Sequence, residues 1–455
     1  MCAVTIDVPR PTPLAATLPP LARLLQAQLE LPATDACENA GRTPEWLEAP
    51  GWRVYATAKR QRRQDHAAEL LESFTLPSGD RLDALRLGDG SVIVPFDFDE
   101  AYQNFLSERW RVQTDLRLLG ESQLALYYRV KWLLPRELQL ALRRLFIRLR
   151  PSPAFPGWPL ELSVDRLARF YGRCLLAHAE VEHAPFTWFW PEAYHAAVVL
   201  THDVETGDGL RRALELADLE QERGFRSSFN VVAGDYPIDD GILRELVDRG
   251  FEIGLHGLHH DRSLFSSRAE FERQLPALVE AAERFGSQGF RSPATHRVLE
   301  WLPDLPALYD CTVPHADRYE PQPGGCCSLW PYSIGRIVEL PWTLPQDHIL
   351  FTLLHQRSAA VWLQQVQEIE RRFGLIQCLS HPDRGYLGDA DKRAHYVELL
   401  DALAERPALW RALPREVAAW WHRRDVGVGG GSVPIREGTM RVGDAPDYVS
   451  FEPPL

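Results

Sequence analysis

His256 and His260 stand four residues apart in Phe251-Glu-Ile-Gly-Leu-His-Gly-Leu-His-His260. On a helical turn that spacing sets both rings on one face, the arrangement in which two imidazole nitrogens grip a divalent ion. The bland alternative is that His256, His259 and His260 are ordinary loop histidines in a chain that holds 15. Other stretches bear on the choice. In Thr201-His-Asp-Val-Glu205, which follows an apolar run, Asp203 and Glu205 share a face if the strand pleat continues. One carboxylate can then bind a metal while the other accepts a proton. Arg291 in Gly289-Phe-Arg-Ser-Pro293 stands where its guanidinium can pair with and orient a carboxylate. His381 in Leu379-Ser-His-Pro-Asp383 comes just past another apolar run, placed to act as a general acid.

These stretches need a frame that gathers them. Ala196 to Thr201 reads as a buried strand, Arg211 to Arg223 as a helix stopped by Gly224, Phe225 to Val232 as a second strand, Gly241 to Arg249 as a helix and Phe251 to Leu255 as a third strand. Alternation continues through a long helix at Arg268 to Phe285, strands at Gly289-Phe-Arg and Ile337 to Leu340, a helix at Ala359 to Phe373 and a strand at Gly374 to Leu379. Such alternation predicts a parallel α/β sheet, and about seven strands favour closure into a barrel with its chemistry at the strands' C-terminal ends.

In this setting the chain resembles the polysaccharide deacetylases (carbohydrate esterase family 4, the NodB homology domain) over residues 195–425. Thr201-His-Asp-Val-Glu205 looks like that family's aspartate-rich first motif, His256-Gly-Leu-His-His260 like its second, Arg291-Ser-Pro293 like its third and Leu379-Ser-His381 like its last. The resemblance implies a distorted (β/α)7-type, TIM-like barrel and a hydrolase that removes an N-acetyl group from a sugar or glycan precursor, releasing acetate. It implies one divalent transition metal, zinc first and cobalt or nickel as alternatives, on Glu205, His256 and His260. It also implies catalytic roles for Asp203, Arg291 and His381 and substrate contacts at Pro293 and Asp310. Departures bear on the assignment. Val204 stands where the family has a second aspartate, so either Asp203 or Glu205 can be the base. Gly257 replaces a Ser or Thr, His259 can compete with His260, and Asp310 and Asp317 lack the tryptophan that accompanies the family's fourth motif. Two alternatives follow: a catalytically impaired metal- or sugar-binding module of the same fold, and a hydrolase of another non-peptide C–N bond.

The rest of the chain bounds these readings. A length of 455 residues exceeds one ordinary core, so the sequence divides into an α+β region at 1–120, a helical connector at 121–194, the barrel at 195–425 and a loose Gly-rich tail at 426–455. A net charge of −13 argues against nucleic acid as partner, and the small basic run Lys59 to Arg63 carries no interleaved aromatics. Seven cysteines without a CxxC pair, and a start lacking a secretory signal, point to a reduced, cytoplasmic protein. Leu138, Leu142, Leu145 and Leu149 recur at spacings of four, three and four, opposite a stripe of Arg136, Arg143 and Arg150. That pattern predicts an amphipathic helix with its leucines packed on the protein and its arginines in water; with Tyr127, Tyr128 and Trp132 ahead of it, it also fits peripheral contact with an anionic membrane.

Overall fold

The computed structural model describes residues 20–27, 29–31, 37–39, 43–61, 68–113, 136–149, 153–426, 434–444 and 447–454. The chain forms two compact units, one of residues 104–165 and 194–418 and one of residues 1–103, 166–193 and 419–455. The division differs from the expected boundaries because the chain passes between units more than once. The helix Ser163–Ala179 is the clearest case: its Phe170 ring lies 5.8 Å from Trp52 and 5.1 Å from Tyr448, residues from opposite ends of the sequence.

The first-named unit carries the motifs. Its sheet contains β1 (Ala196–Val204), β2 (Ser228–Val231), β3 (Glu252–Leu255), β4 (Gly289–Phe290), β5 (Tyr309–Asp310), β6 (Tyr332–Ile334), β7 (Ile337–Glu339), β8 (Leu375–Ser380) and β9 (Leu409–Arg411). The spatial order is β6-β7-β5-β4-β3-β2-β1-β8, with β9 also on β1. Every pairing is parallel except β6 with β7. Each residue of β1 is buried, as expected of a central strand whose two faces are both covered. Crossover helices α1 (Gly207–Glu222), α2 (Asp240–Asp248) and α3 (Arg268–Phe285) begin on side-chain caps from Thr206, Asp239 and Ser267. Helix α3 ends at Gly286 in the left-handed conformation, φ 61°.

The expected closed seven-unit barrel is corrected in one respect. Among the described residues no regular ladder joins β7 to β8. The Thr343 and Leu344 N–H groups instead donate to the Gln377 carbonyl, at 3.2 and 3.0 Å. Pro341 and Pro345 bracket this stretch and have no N–H to give, so it leans on β8 without extending the sheet.

The other unit holds a five-stranded antiparallel sheet, ordered Trp52–Ala56, Glu45–Ala49, Glu69–Thr75, Arg81–Arg86 and Val92–Ile93. Its second sheet corrects the expectation of a loose tail: Glu437–Val442 lies between Val449–Glu452 and His183–Thr187. Met440, Val449 and Phe451 are buried, apolar anchors whose alternation is too short to stand out beside the glycines before it. Residues 427–433, with those glycines, lie outside the described residues, as do Tyr127, Tyr128 and Trp132.

Helix Arg136–Leu149 forms as the periodicity predicts, but its orientation is the reverse of the expected one. Leu138 and Leu145 are 45% and 51% exposed. Arg143 turns inward to the Tyr319 carbonyl (2.5 Å) and His348 Nε2 (3.2 Å), and Arg144 donates to the Thr352 carbonyl (2.7 Å). Periodicity identifies the two faces of a helix but not which one the protein covers, and here carbonyls ending a tight turn reward arginine.

Candidate active site

Parity along β1 sorts its C-terminal residues. The odd positions Thr201 and Asp203 face the site, while His202 points to the helices, bonded to Ser380 Oγ (2.9 Å) and Glu220 Oε1 (2.6 Å) and stacked on Phe229. Val204 is buried on the same side as His202. The chain therefore spends position 204 on the core, and the next carboxylate available to the site is Glu205.

Glu205 reaches His260: its Oε1 lies 3.0 Å from His260 Nε2 and 3.7 Å from His381 Nε2. Glu205, His256 and His260 each offer one donor atom, all within 4.8 Å of one another. Two imidazoles and a carboxylate are the donor set of a catalytic transition-metal site that leaves positions open for water or substrate. The His256 Nδ1 bonds to the Arg291 carbonyl at 2.9 Å, which sets that nitrogen as donor and leaves Nε2 with its lone pair toward the cluster. Burial pulls the His256 pKa down to about 4, so the ring is neutral, the form that ligates. These residues fit a divalent ion.

The loop that carries both histidines is held from outside it. Asp235, just past β2, accepts the His260 backbone N–H (2.6 Å) and binds His259 Nδ1 (2.7 Å). His259 is thereby turned away and His260 is the ring in the cluster. Gly257 has φ +74°, and a Cβ there would lie 3.2 Å from the Pro293 ring. A left-handed glycine thus lets Pro293 press on this loop.

Asp203 is clamped. Its Oδ1 accepts from Asn230 Nδ2 (2.9 Å) and Arg291 Nη1 (3.2 Å), and its Oδ2 lies 3.7 Å from His256 Nε2. Burial works to raise its pKa, and the charges of Arg291 and His381 with the Asn230 hydrogen bond outweigh it, holding the carboxyl below its usual range. Arg291 is fully buried and spreads its remaining donors over Thr201 Oγ1 (2.8 Å) and the Cys311 carbonyl (2.8 Å). With the Gln377 amide turned to satisfy both of its ends, the side-chain oxygen of Gln377 accepts from Arg291 Nη2 at 2.9 Å.

His381 sits just past β8 with Asp347 behind it. One Asp347 oxygen binds His381 Nδ1 (2.7 Å) and the other accepts its backbone N–H (3.0 Å). Burial opposes the charge on this ring, but Asp347 prevails and lifts the pKa to about 10, so His381 is an imidazolium with Nε2–H directed toward Glu205. The loop after β8 also fixes the chain after β1. Asp383 accepts the Glu205 N–H (3.1 Å) and the Thr206 hydroxyl, and its carboxylate approaches α1 so closely that a Cβ at Gly209 would overlap it at 2.4 Å.

The structure thus gathers Asp203, Glu205, His256, His260, Arg291 and His381. It places Pro293, buried, against Gly257, and Asp310 in the core. Asp310 is fully buried, bonded to Thr312 Oγ1 (2.7 Å) and paired in register with Glu339. Asp347, Asp235 and Asn230 escaped sequence reading. Asn230 alone had a signal, as one of two polar residues, with Ser228, within a buried strand adjacent to β1.

No family model matches the chain and none of the curated proteins matches it. Solved structures of polysaccharide deacetylases, an allantoinase and a carbohydrate esterase are similar to this chain over about half of its length. A Mycobacterium smegmatis protein assigned as a polysaccharide deacetylase is 19% identical, spans 52% of this chain and 94% of its own, and gives a TM-score of 0.42. A PuuE allantoinase is 16% identical over 51% of this chain and 92% of its own, with a TM-score of 0.40. A family 4 carbohydrate esterase from Streptomyces lividans, solved with acetate, is 17% identical over 48% of this chain and 93% of its own, with a TM-score of 0.32.

Proposed function

We propose that the protein is a metal-dependent hydrolase that removes the N-acetyl group of a cytoplasmic sugar or glycan precursor, releasing acetate and an amine. The observation that carries the reading is the convergence of the Glu205, His256 and His260 donors beside a clamped carboxylate and a charged histidine. Glu205, His256 and His260 would hold a divalent ion, with zinc, cobalt and nickel the candidates. When bound, such an ion makes a water more acidic and polarises a carbonyl.

The chain's own residues do the rest. Asp203, kept ionised by Arg291 and His381, takes the proton of the attacking water. Glu205 is the less suited base because its Oε1 is engaged with His260. Arg291 holds Asp203 in one orientation, and Asn230 fixes the oxygen that faces it. His381, charged and backed by Asp347, donates from Nε2 to the departing nitrogen; without that proton the C–N bond would not break toward an amine.

The test is metal content by elemental mass spectrometry together with acetate release from a panel of N-acetylated sugars, for wild type and His256→Ala. About one equivalent of metal, acetate release, and loss of both in the variant support the reading. Metal without acetate from any sugar overturns it in favour of a binding module. Turnover confined to a cyclic amide assigns another C–N bond.

A further inference from the structure

We infer that Glu108 is a positioning residue for the candidate site, acting through Arg297 on the turn 292–296 that backs the histidine loop. The turn is strained. Ala294 and Thr295 are consecutive residues in the left-handed conformation, φ 49° and 52°, and neither has a glycine's freedom. The turn also adjoins the donor set at two points. The Arg291 carbonyl at its start accepts from His256 Nδ1 at 2.9 Å, and the Pro293 ring leaves 3.2 Å for a Cβ at Gly257, between His256 and His260. Backbone strain of this kind persists only where the surroundings over-determine it.

Glu108 supplies that constraint. It forms a buried bidentate pair with Arg297, Nε to Oε2 at 2.7 Å and Nη2 to Oε1 at 2.5 Å. Arg297 gives its remaining Nη1 to the Thr295 carbonyl (2.9 Å) and the Gln322 carbonyl (3.2 Å). The Gln322 amide closes on the Arg297 backbone, accepting its N–H (3.0 Å) and donating to its carbonyl (2.9 Å). Glu108 is fixed on its own side as well. Its Oε1 accepts the Gly325 N–H (2.5 Å), and Trp110, edge-on to Phe155 at 4.7 Å, donates from Nε1 to the Gly325 carbonyl (3.3 Å). A Cβ at Gly324 would overlap Glu108 Oε1 at 2.4 Å, so glycine there admits the carboxylate.

A carboxylate 189 positions upstream of Arg297 thus sets the shape of the turn. The turn's other flank is held by Thr312, whose Oγ1 accepts the Ser292 N–H at 2.9 Å. With both flanks held, the Arg291 carbonyl keeps the His256 ring in one orientation and one tautomer, Nε2 toward the cluster. Groups that orient a ligating imidazole are worth about 10–100-fold in metal affinity. Glu108 belongs to the motif-bearing unit although it precedes every strand of its sheet. The inference rests on the metal-dependent reading of the site and deepens it.

The test compares wild type with Glu108→Met/Arg297→Met, and with Gln322→Ala as a second variant that disturbs only a half-buried amide. Exchanging a buried ion pair for apolar side chains of similar volume leaves stability near that of wild type, yet it removes every side-chain donor that Arg297 gives the turn. Zinc affinity by chelator competition should fall about 10–100-fold in the double variant and at least about threefold in Gln322→Ala. In the metal-free protein, amide exchange at Thr295 and His296, read by NMR, should quicken at least about tenfold. A pair that merely holds the fold together predicts wild-type affinity and exchange in a folded double variant, and that result overturns the proposal. If the double variant does not fold, unchanged affinity and exchange in Gln322→Ala overturn it. Acetate release separates the two readings. Lost zinc affinity in the variants of a protein that deacetylates no sugar refutes the deacetylase reading alone. A wild type that deacetylates, with equal affinity in both variants, refutes the role of Glu108 alone. A wild type that binds no transition metal overturns both.

Discussion

Replacing Asp347 by Asn removes the charge behind His381 while keeping a group that can accept from Nδ1. In the wild type Asp347 raises the His381 pKa to about 10, so at about pH 8.5 more than nine-tenths of the rings carry the proton the leaving nitrogen needs. Without that charge, burial is opposed only by the Glu205 and Asp203 carboxylates, and the pKa falls toward the ordinary histidine value of about 6.5. At about pH 8.5 the protonated fraction then drops to roughly one in a hundred, whereas at about pH 6 most rings stay charged. The expected outcome is a kcat about 100-fold below wild type at the higher pH, nearly restored at the lower one, with a new alkaline limb near pH 6.5. Acetate release measured across pH reads the limb, and 15N-histidine NMR reads the His381 titration independently of turnover. A His381 that still titrates near 10 in Asp347→Asn, or a kcat loss equal at all pH values, would refute the reasoning.

Other perturbations have equally definite outcomes. Glu205→Gln, His256→Ala and His260→Ala should each reduce bound metal from about one equivalent to below about a tenth by elemental analysis, whereas His259→Ala should retain it, since His259 is bonded to Asp235. Arg291→Met strands Asp203 as an uncompensated buried charge and should cost about 3–5 kcal/mol in denaturant unfolding; a cost under about 1 kcal/mol would contradict the clamp. Glu252 is buried at the opposite end of β3, bonded to Tyr309 Oη at 2.7 Å, and burial raises its pKa to about 7. The folded state thus holds this proton more tightly than the unfolded one, so stability is unaffected below about pH 4.5 and declines as pH rises to about 7, by roughly 3 kcal/mol in total. Glu252→Gln should flatten that decline and leave the variant more stable than wild type at about pH 8; parallel melting curves across this range would sink the assignment.

The alternation of β1 to β4 with their helices, and the four motif positions at strand ends, were legible because strand burial, helix caps and chain order are local properties. Asp203 and Glu205 follow from the period-two rule, and Val204 from its consequence that an intervening residue faces the helices. What escaped is non-local. Asp347 lies in an irregular stretch after β7 and is 34 positions from His381. Nothing in its neighbours distinguishes it from Asp310, which has strand placement yet is turned into the core against Thr312 and Glu339. Asp235 decides between His259 and His260, a choice that spacing alone left open.

The same division holds for the whole molecule. Sequence by itself determined the amphipathic character of 136–149, the parallel sheet and the imidazole and carboxylate types that cluster at the strand ends, since each depends on periodicity or on donor chemistry. Only tertiary structure decided which helix face is covered, that residues 437–442 and 449–452 join a sheet with 183–187, that β7 and β8 stay unlinked by a ladder, and which aspartate backs His381. Those outcomes depend on which distant groups reach one another. An arginine finds a turn carbonyl, a proline lacks the N–H a ladder needs, and a carboxylate meets an imidazole across the mouth of the sheet only once the strands are in register.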